Sequence, residues 1–306
     1  MQKSPASWIG GLAISFAAIL WGLDGVVLTP GLRPLDTGFV VMTLHLIPFA
    51  LMNLFLYREY KVARTFTANQ WINLFLVALF GGAAGTLFIV KALFLLEFKP
   101  LTVIVLLQKL QPIFAITLAA ILLKEKINRR FIAWGSLALA AGYTLTFGLE
   151  LPDFQTNGNT LKASGYAILA AAAFGSSTVF SKKAVGSMSF RTATFFRYGL
   201  TSVIMLTYVA INNTFTNISL VTPFQWGIFL IIAFTTGSGA IFLYYMGLIR
   251  VRAMVATMCE LFFPISAVIF DYLINGAILT TMQWISAVVM VGAIIKLTIS
   301  NNSSGS

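Results

Sequence analysis

Ten apolar runs, each near the roughly 20 residues a helix needs to cross a bilayer's hydrocarbon core, leave this chain little choice of fold. They occupy 8–29, 37–57, 71–97, 101–123, 130–148, 163–183, 192–212, 225–249, 253–274 and 281–299. Pro30, Gly31 and Pro34 separate the first pair, Lys99 and Pro100 follow the third run, and LPDFQTNGNT at 151–160 forms the longest polar linker. With 58% hydrophobic and 9% charged residues, too little polar surface remains to cover a water-soluble globule of 306 residues. The reading is an all-α membrane protein with ten transmembrane helices.

The net charge of +11 would suggest nucleic acid in a soluble chain, but here the basic residues sit in alternate loops beside apolar runs. The partners expected are therefore lipid and a small molecule, with no nucleic acid and no requirement for an oligomer. With the N-terminus inside, the inner segments hold Lys3, Arg58, Lys61, Arg64, Lys124, Lys126, Arg129, Arg130, Lys182, Lys183, Arg191, Arg250, Arg252 and Lys296. The outer loops hold Arg33, Lys99 and Lys162. The positive-inside rule then places both termini in the cytoplasm, and the short termini fit a bacterial inner membrane. No cleavable signal peptide is expected, and the polar tail 301–306 is expected to stay disordered. A single Cys259 and a single His45 give no disulfide framework and no His/Cys metal cluster. They also make a nucleophile–base set hard to assemble, so no enzyme, metal or cofactor is expected.

The runs form two copies of one unit. Gly85, Phe88 and Lys91 match Gly239, Phe242 and Tyr245, and Val103, Gln108 and Pro112 match Val255, Glu260 and Pro264. Ala13, Ile14, Trp21 and Gly22 are echoed by Ala167, Ile168, Phe174 and Gly175. Residues 1–148 make the first five-helix repeat, 149–162 an outer linker, 163–299 the second repeat and 300–306 the tail. Five crossings are odd, so the second unit is inverted, a recurring plan of secondary transporters whose substrate sits between the repeats near the midplane. Gly81 with Gly85, Gly11 with Ser15, and Ala170 with Ala173 read as close-packing faces between helices.

At these residues the chain resembles the EamA-type transporters of the drug/metabolite transporter superfamily. The resemblance is carried by Leu20-Trp21-Gly22, by Lys91-Ala92-Leu93 leading to Pro112, by Leu123-Lys124-Glu125-Lys126-Ile127, and by Tyr244-Tyr245 followed by Pro264. It implies ten helices in two inverted halves around a central cavity that opens alternately to each side, and commonly the export of small metabolites. Gly276 and Ala277 stand where the second unit would repeat Glu125.

Polar residues inside apolar runs are the candidate ligands. A Lys at a helix centre costs about 2.5–3.5 kcal/mol on insertion scales, so it normally faces a bundle interior or a wet cavity, or snorkels. Lys91 is placed in the cavity to attract a carboxylate or phosphate. Gln108 and Gln111, three apart, share a helix face, while Lys109 points away as a structural residue. Glu260, the repeat partner of Gln108, is the strongest candidate: it binds an ammonium group, carries a coupling proton, or pairs permanently with Arg197 or Lys91. Arg197 and His45 occupy corresponding positions in the seventh and second runs, and Tyr245 mirrors Lys91. Trp21, Asp24, Phe88 and Tyr244 are assigned to gating or the cavity wall.

His45, Lys91, Gln108, Gln111, Arg197, Tyr245 and Glu260 thus form the expected substrate site. The expected activity is alternating-access export of a small polar metabolite, an amino acid or similar zwitterion, with Glu260 on the amine and Lys91 or Arg197 on the carboxylate. The alternatives are an exchanger of organic anions such as sugar phosphates, or a quaternary-amine or drug transporter.

Overall fold

The computed structural model describes residues 6–97, 104, 107–149, 158–276 and 278–300. Lys3, Lys99, Pro100, Val103, Ala277, linker residues 150–157 and the tail 301–306, all invoked above, lie outside this set. Among the described residues all regular structure is helical. In chain order the long helices are α1 (Ser7–Leu32), α2 (Thr37–Leu56), α3 (Ala68–Leu95), α4 (Gln111–Leu122), α5 (Arg129–Phe147), α6 (Gly158–Ser187), α7 (Phe190–Ile211), α8 (Pro223–Leu248), α9 (Ala253–Asn275) and α10 (Thr281–Ile299). Eight of these are long and apolar enough to cross a membrane, all but α4 and α5. The continuous part of α4 has 12 residues. The 19 residues of α5 open on Arg129 and Arg130 and include Gly, Ser, Thr and Tyr, which dilute its hydropathy.

Polar residues at the loop ends start the helices. Asp36 accepts the Phe39 N–H at 2.9 Å, Asn128 the Phe131 N–H at 2.7 Å, and Ser189 the Thr192 N–H at 3.1 Å. Thr67 with Gln70 and Thr222 with Gln225 form reciprocal capping boxes at the starts of α3 and α8. These two helices share a second feature, a widened π turn at Ala78–Ala84 in α3 and at Ala233–Gly237 in α8. Such turns interrupt the regular i→i−4 ladder and recur at functional sites.

A matching pair of breaks lies ahead of the two prolines. The helix leading into α4 turns at Lys109 and Leu110, and α9 turns at Glu260 and Leu261. A proline has no N–H, and its ring clashes with the carbonyl four residues back, here Gln108 before Pro112 and Glu260 before Pro264. The Glu260 carbonyl accepts the Phe263 N–H at 2.9 Å instead.

The packing partners are exchanged between the halves. α1 packs on α8 and α9, α6 packs on α3 and α4, α2 pairs with α7, and α5 pairs with α10. Glycine permits the first two contacts. A Cβ on Gly22 would lie 2.0 Å from Ser266 Oγ and 2.9 Å from Ala267 N, and one on Gly175 would lie 2.8 Å from Phe114 Cβ and 2.9 Å from Ala115 N. Gly11 and Gly81 are likewise at helix contacts, against Thr298 and Ser177.

Alternate loops gather at opposite ends. At one end Thr192 donates to Glu59 at 2.7 Å, Gln70 to the Ser187 carbonyl at 3.1 Å, and Lys182 to the Leu248 carbonyl at 2.7 Å. Glu125 joins them by accepting the Ala253 N–H at 2.8 Å. At the other end Arg33 pairs with Glu97 at 2.5 Å, Gln225 donates to the Gly31 carbonyl at 3.2 Å, and Gln283 to the Leu145 carbonyl at 3.1 Å. The first end carries most of the loop arginines and lysines.

Candidate functional site

Between the π turns and the helix breaks lies a cavity of about 270 Å³. Its floor and walls come from both halves: Trp21 and Asp24 of α1, His45 of α2, Thr86, Ile89, Val90 and Leu93 of α3, Gln108 and Gln111 at the α4 break, and Ser177 and Thr178 of α6. Phe174 of α6, Arg197 and Tyr198 of α7, Thr236, Ile241 and Tyr244 of α8, and Glu260 and Phe263 of α9 also line it. Eight of the eleven residues named from sequence therefore stand together: Trp21, Asp24, His45, Gln108, Gln111, Arg197, Tyr244 and Glu260.

Glu260 is held by donors from three helices. Its Oε1 accepts the Tyr244 hydroxyl at 2.8 Å and the Thr178 hydroxyl at 3.2 Å, and its Oε2 accepts the Gln111 side-chain amide. Among the described residues neither Arg197 nor Lys91 stands within ion-pair distance of it. Tyr244 also packs against Trp21, with ring centroids 5.5 Å apart, so an aromatic wall adjoins the carboxylate. Asp24 accepts the Thr29 hydroxyl at 3.0 Å, where α1 leaves regular geometry.

Arg197 is 7% exposed. One terminal nitrogen donates to the Gly81 carbonyl at 3.0 Å, within the π turn of α3, and the other to the Tyr245 hydroxyl at 3.1 Å. Among the described residues its Nε is buried without a hydrogen-bond partner, as is Gln108 Nε2. His45 sits beside it, its ring 5.3 Å from that of Tyr198. The Nδ1 of His45 lies 2.8 Å from the Val41 carbonyl, which only accepts, so Nδ1 carries a proton.

Three expected residues stand outside the cavity lining. Tyr245 is fully buried and bridges Ser181 Oγ at 2.9 Å to Arg197, so it reaches the cavity only through the arginine. Lys91 donates to the Tyr208 hydroxyl at 3.1 Å, with the Tyr208 and Tyr166 rings within 6 Å of its ammonium. Phe88 stacks on Tyr166, with centroids 6.0 Å apart. The reason is helical phase. Thr86, Ile89, Val90 and Leu93 follow the i, i+3, i+4, i+7 spacing of one face, and Phe88 and Lys91 lie off that face. Lys109 turns away from the large cavity as expected, onto the Gly142 carbonyl and the Thr146 hydroxyl.

Ser177, Thr178, Tyr198, Thr236 and Phe263 line the cavity without having been singled out from sequence. The repeat held the signal for one: Ser177 follows Phe174 at the same distance as Asp24 follows Trp21.

The EamA-like transporter family model matches residues 8–148 and again 161–299. The chain belongs to the EamA-like transporter family. It is an integral membrane transporter of a small molecule and not an enzyme. The riboflavin transporter ImpX of Fusobacterium nucleatum subsp. nucleatum is 54% identical over 289 residues, covering 94% of this chain and 97% of that protein. A crystallographically determined protein chain at 16% identity superposes with a TM-score of 0.69, covering 98% of this transporter and 99% of its own length, which shows a common fold.

Proposed function

We propose that this transporter moves riboflavin across a bacterial inner membrane by alternating access. The observation that carries the reading is the 54% identity to a riboflavin transporter across 97% of that protein's length. The cavity suits such a ligand. Trp21, Phe174, Tyr244 and Phe263 offer apolar aromatic surface to a planar ring system, and Gln108, Gln111, Ser177, Thr178 and Arg197 offer hydrogen bonds to its polar edge and polyol chain. Riboflavin is uncharged at neutral pH, so it needs neither a carboxylate-binding lysine nor an amine-binding glutamate.

The proposal includes the molecular plan expected from sequence. Residues 1–148 and 163–299 are two five-helix halves of inverted topology, joined by 149–162, with ten crossings and both termini cytoplasmic. The family model matching twice, the exchanged packing partners and the paired π turns all support it. In this plan the halves rock about the cavity and expose it to one side at a time.

The test is uptake of labelled riboflavin by proteoliposomes, paired with thermal unfolding of the purified protein. Binding to the folded state alone adds about 2.7 kcal/mol of apparent stability at a ligand concentration 100 times Kd. Saturable uptake and a rise in melting temperature with riboflavin are expected. Outward movement, the direction expected by family resemblance, is read as efflux from preloaded vesicles. The zwitterion reading keeps one observation in its favour, the presence of Arg197 and Glu260 in one cavity. Stabilisation by amino acids and none by riboflavin would select it.

A further inference from the structure

The polar groups of the cavity are unequally satisfied. Glu260 already accepts from Tyr244, Thr178 and Gln111, three of roughly four lone-pair positions on a carboxylate. On the donor side, among the described residues Arg197 Nε and Gln108 Nε2 are buried without acceptors. A buried donor left unmade is costly, more so on a charged group, and among the described residues no carboxylate lies within 4 Å of the guanidinium. The ligand that completes this site therefore brings acceptors rather than an ammonium group.

The guanidinium is also fixed in place. The Gly81 carbonyl holds one terminal nitrogen, the Tyr245 hydroxyl holds the other, and Ser181 holds the tyrosine, with Tyr245 and Ser181 fully buried. Gly81 is required for this approach: a Cβ there would lie 2.1 Å from Ser177 Oγ and 3.1 Å from the arginine's Nη2. Two of the five guanidinium N–H donors are thus used in positioning, and among the described residues the Nε donor has no acceptor. We infer that Arg197, clamped by Tyr245 and Gly81, is the specificity-determining donor that reads the carbonyl-bearing pyrimidine edge of the flavin ring, with Tyr245 as its positioning residue. The inference rests on the riboflavin reading and narrows it. The ring's dione edge presents two carbonyl acceptors and the unprotonated ring nitrogens beside them, with one imide N–H between the carbonyls, whereas the ribityl chain presents hydroxyls that can also donate to carboxylates and carbonyls.

The test measures binding of riboflavin and of lumiflavin, which carries a methyl in place of the ribityl chain, to the purified full-length transporter. Arg197→Gln is expected to weaken both ligands by the same factor, roughly 10- to 100-fold for a lost charged-donor hydrogen bond. Arg197→Lys should not restore binding, because the ammonium lacks the planar fork. Tyr245→Phe keeps the buried ring and removes only the hydroxyl, so it stays informative if Arg197→Gln does not fold. It is expected to weaken both flavins by a smaller common factor and to add nothing in the Arg197→Gln background, as a residue acting through the arginine must. Loss of riboflavin binding with lumiflavin unchanged would reassign Arg197 to the ribityl chain and overturn the inference. So would unchanged affinities, or a wild type that binds riboflavin but not lumiflavin. A wild type that binds amino acids and neither flavin would instead overturn the riboflavin reading, and this inference with it.

Discussion

Lys91 shows how a residue can be conspicuous in sequence and sit beside the site rather than in it. A cation amid 28 residues of apolar helix is easy to see, and its depth makes a cavity plausible. What the sequence does not display is which side of α3 faces the cavity, because that face is Thr86, Ile89, Val90 and Leu93, three of them apolar. A polar residue signals that it has a partner, and the partner of Lys91 is the Tyr208 hydroxyl with two aromatic faces. Tyr245 was tied to Lys91 by the repeat and shares its phase: Ile241 and Tyr244 line the cavity, and Tyr245 lies one residue round the helix. The repeat therefore transmitted position correctly and said nothing about direction. If riboflavin is the ligand, as proposed, Lys91→Met is expected to leave its affinity within about twofold, since no cavity contact is lost. It should lower thermal stability by the order of a cation–π contact, about 0.5–1 kcal/mol or somewhat more where desolvated. A calorimetric binding titration and a melting curve on the same sample check both halves of that statement.

Elements carry a different kind of information. The break ahead of α4 and the one within α9 fall inside runs drawn as continuous from hydropathy, although Pro112 and Pro264 in matching registers carried the signal, since a proline disrupts a helix by its own geometry. The π turns of α3 and α8 carried no such signal, since nothing in Ala78–Ala84 beyond its glycines distinguishes it from an ordinary small-residue stretch. Glu125 lies between these cases. In the sequence it marked the end of the fourth run and had no acidic counterpart in the second half. In the fold its two oxygens accept the Ala253 and Met254 N–H groups at 2.8 and 3.0 Å, so it caps the start of α9 from the end of α4. Arg252 reinforces the contact, 3.7 Å from the carboxylate and donating to the Lys126 carbonyl at 2.6 Å. A carboxylate at a helix N-terminus satisfies orphan donors and complements the dipole. Glu125→Ala should lower stability by about 0.5–2 kcal/mol, the usual worth of an N-cap, with Glu125→Gln losing less. Both are read as melting-temperature shifts. Since the carboxylate lies outside the cavity, binding of the proposed ligand, riboflavin, to the folded fraction should persist.

For the whole molecule, hydropathy and charge define the class, and the duplicated motifs carry the two-half plan. The count of crossings is where composition and geometry diverge. α4 is short in its described part and α5 begins with two arginines, so neither meets a span's length and hydropathy together. Yet Glu125, which follows α4, lies against the Arg252–Ala253 turn at the basic end, while Leu145 near the end of α5 accepts Gln283 at the opposite end. α5 therefore runs between those two ends of the bundle, which supports the proposed plan of ten crossings. Single-cysteine labelling separates eight crossings from ten, starting from a Cys259→Ser background because that thiol is buried. Lys126→Cys, exposed in the α4–α5 loop, should react with a membrane-impermeant maleimide only after the cells are permeabilised. Lys162→Cys, exposed near the start of α6, should react in intact cells. If α4 stopped short of crossing, position 126 would share the outer face with position 162 and both would label without permeabilisation. The charges argue against that outcome: it would move Lys124, Lys126, Arg129 and Arg130 to the outside, against the bias that orients membrane chains during insertion.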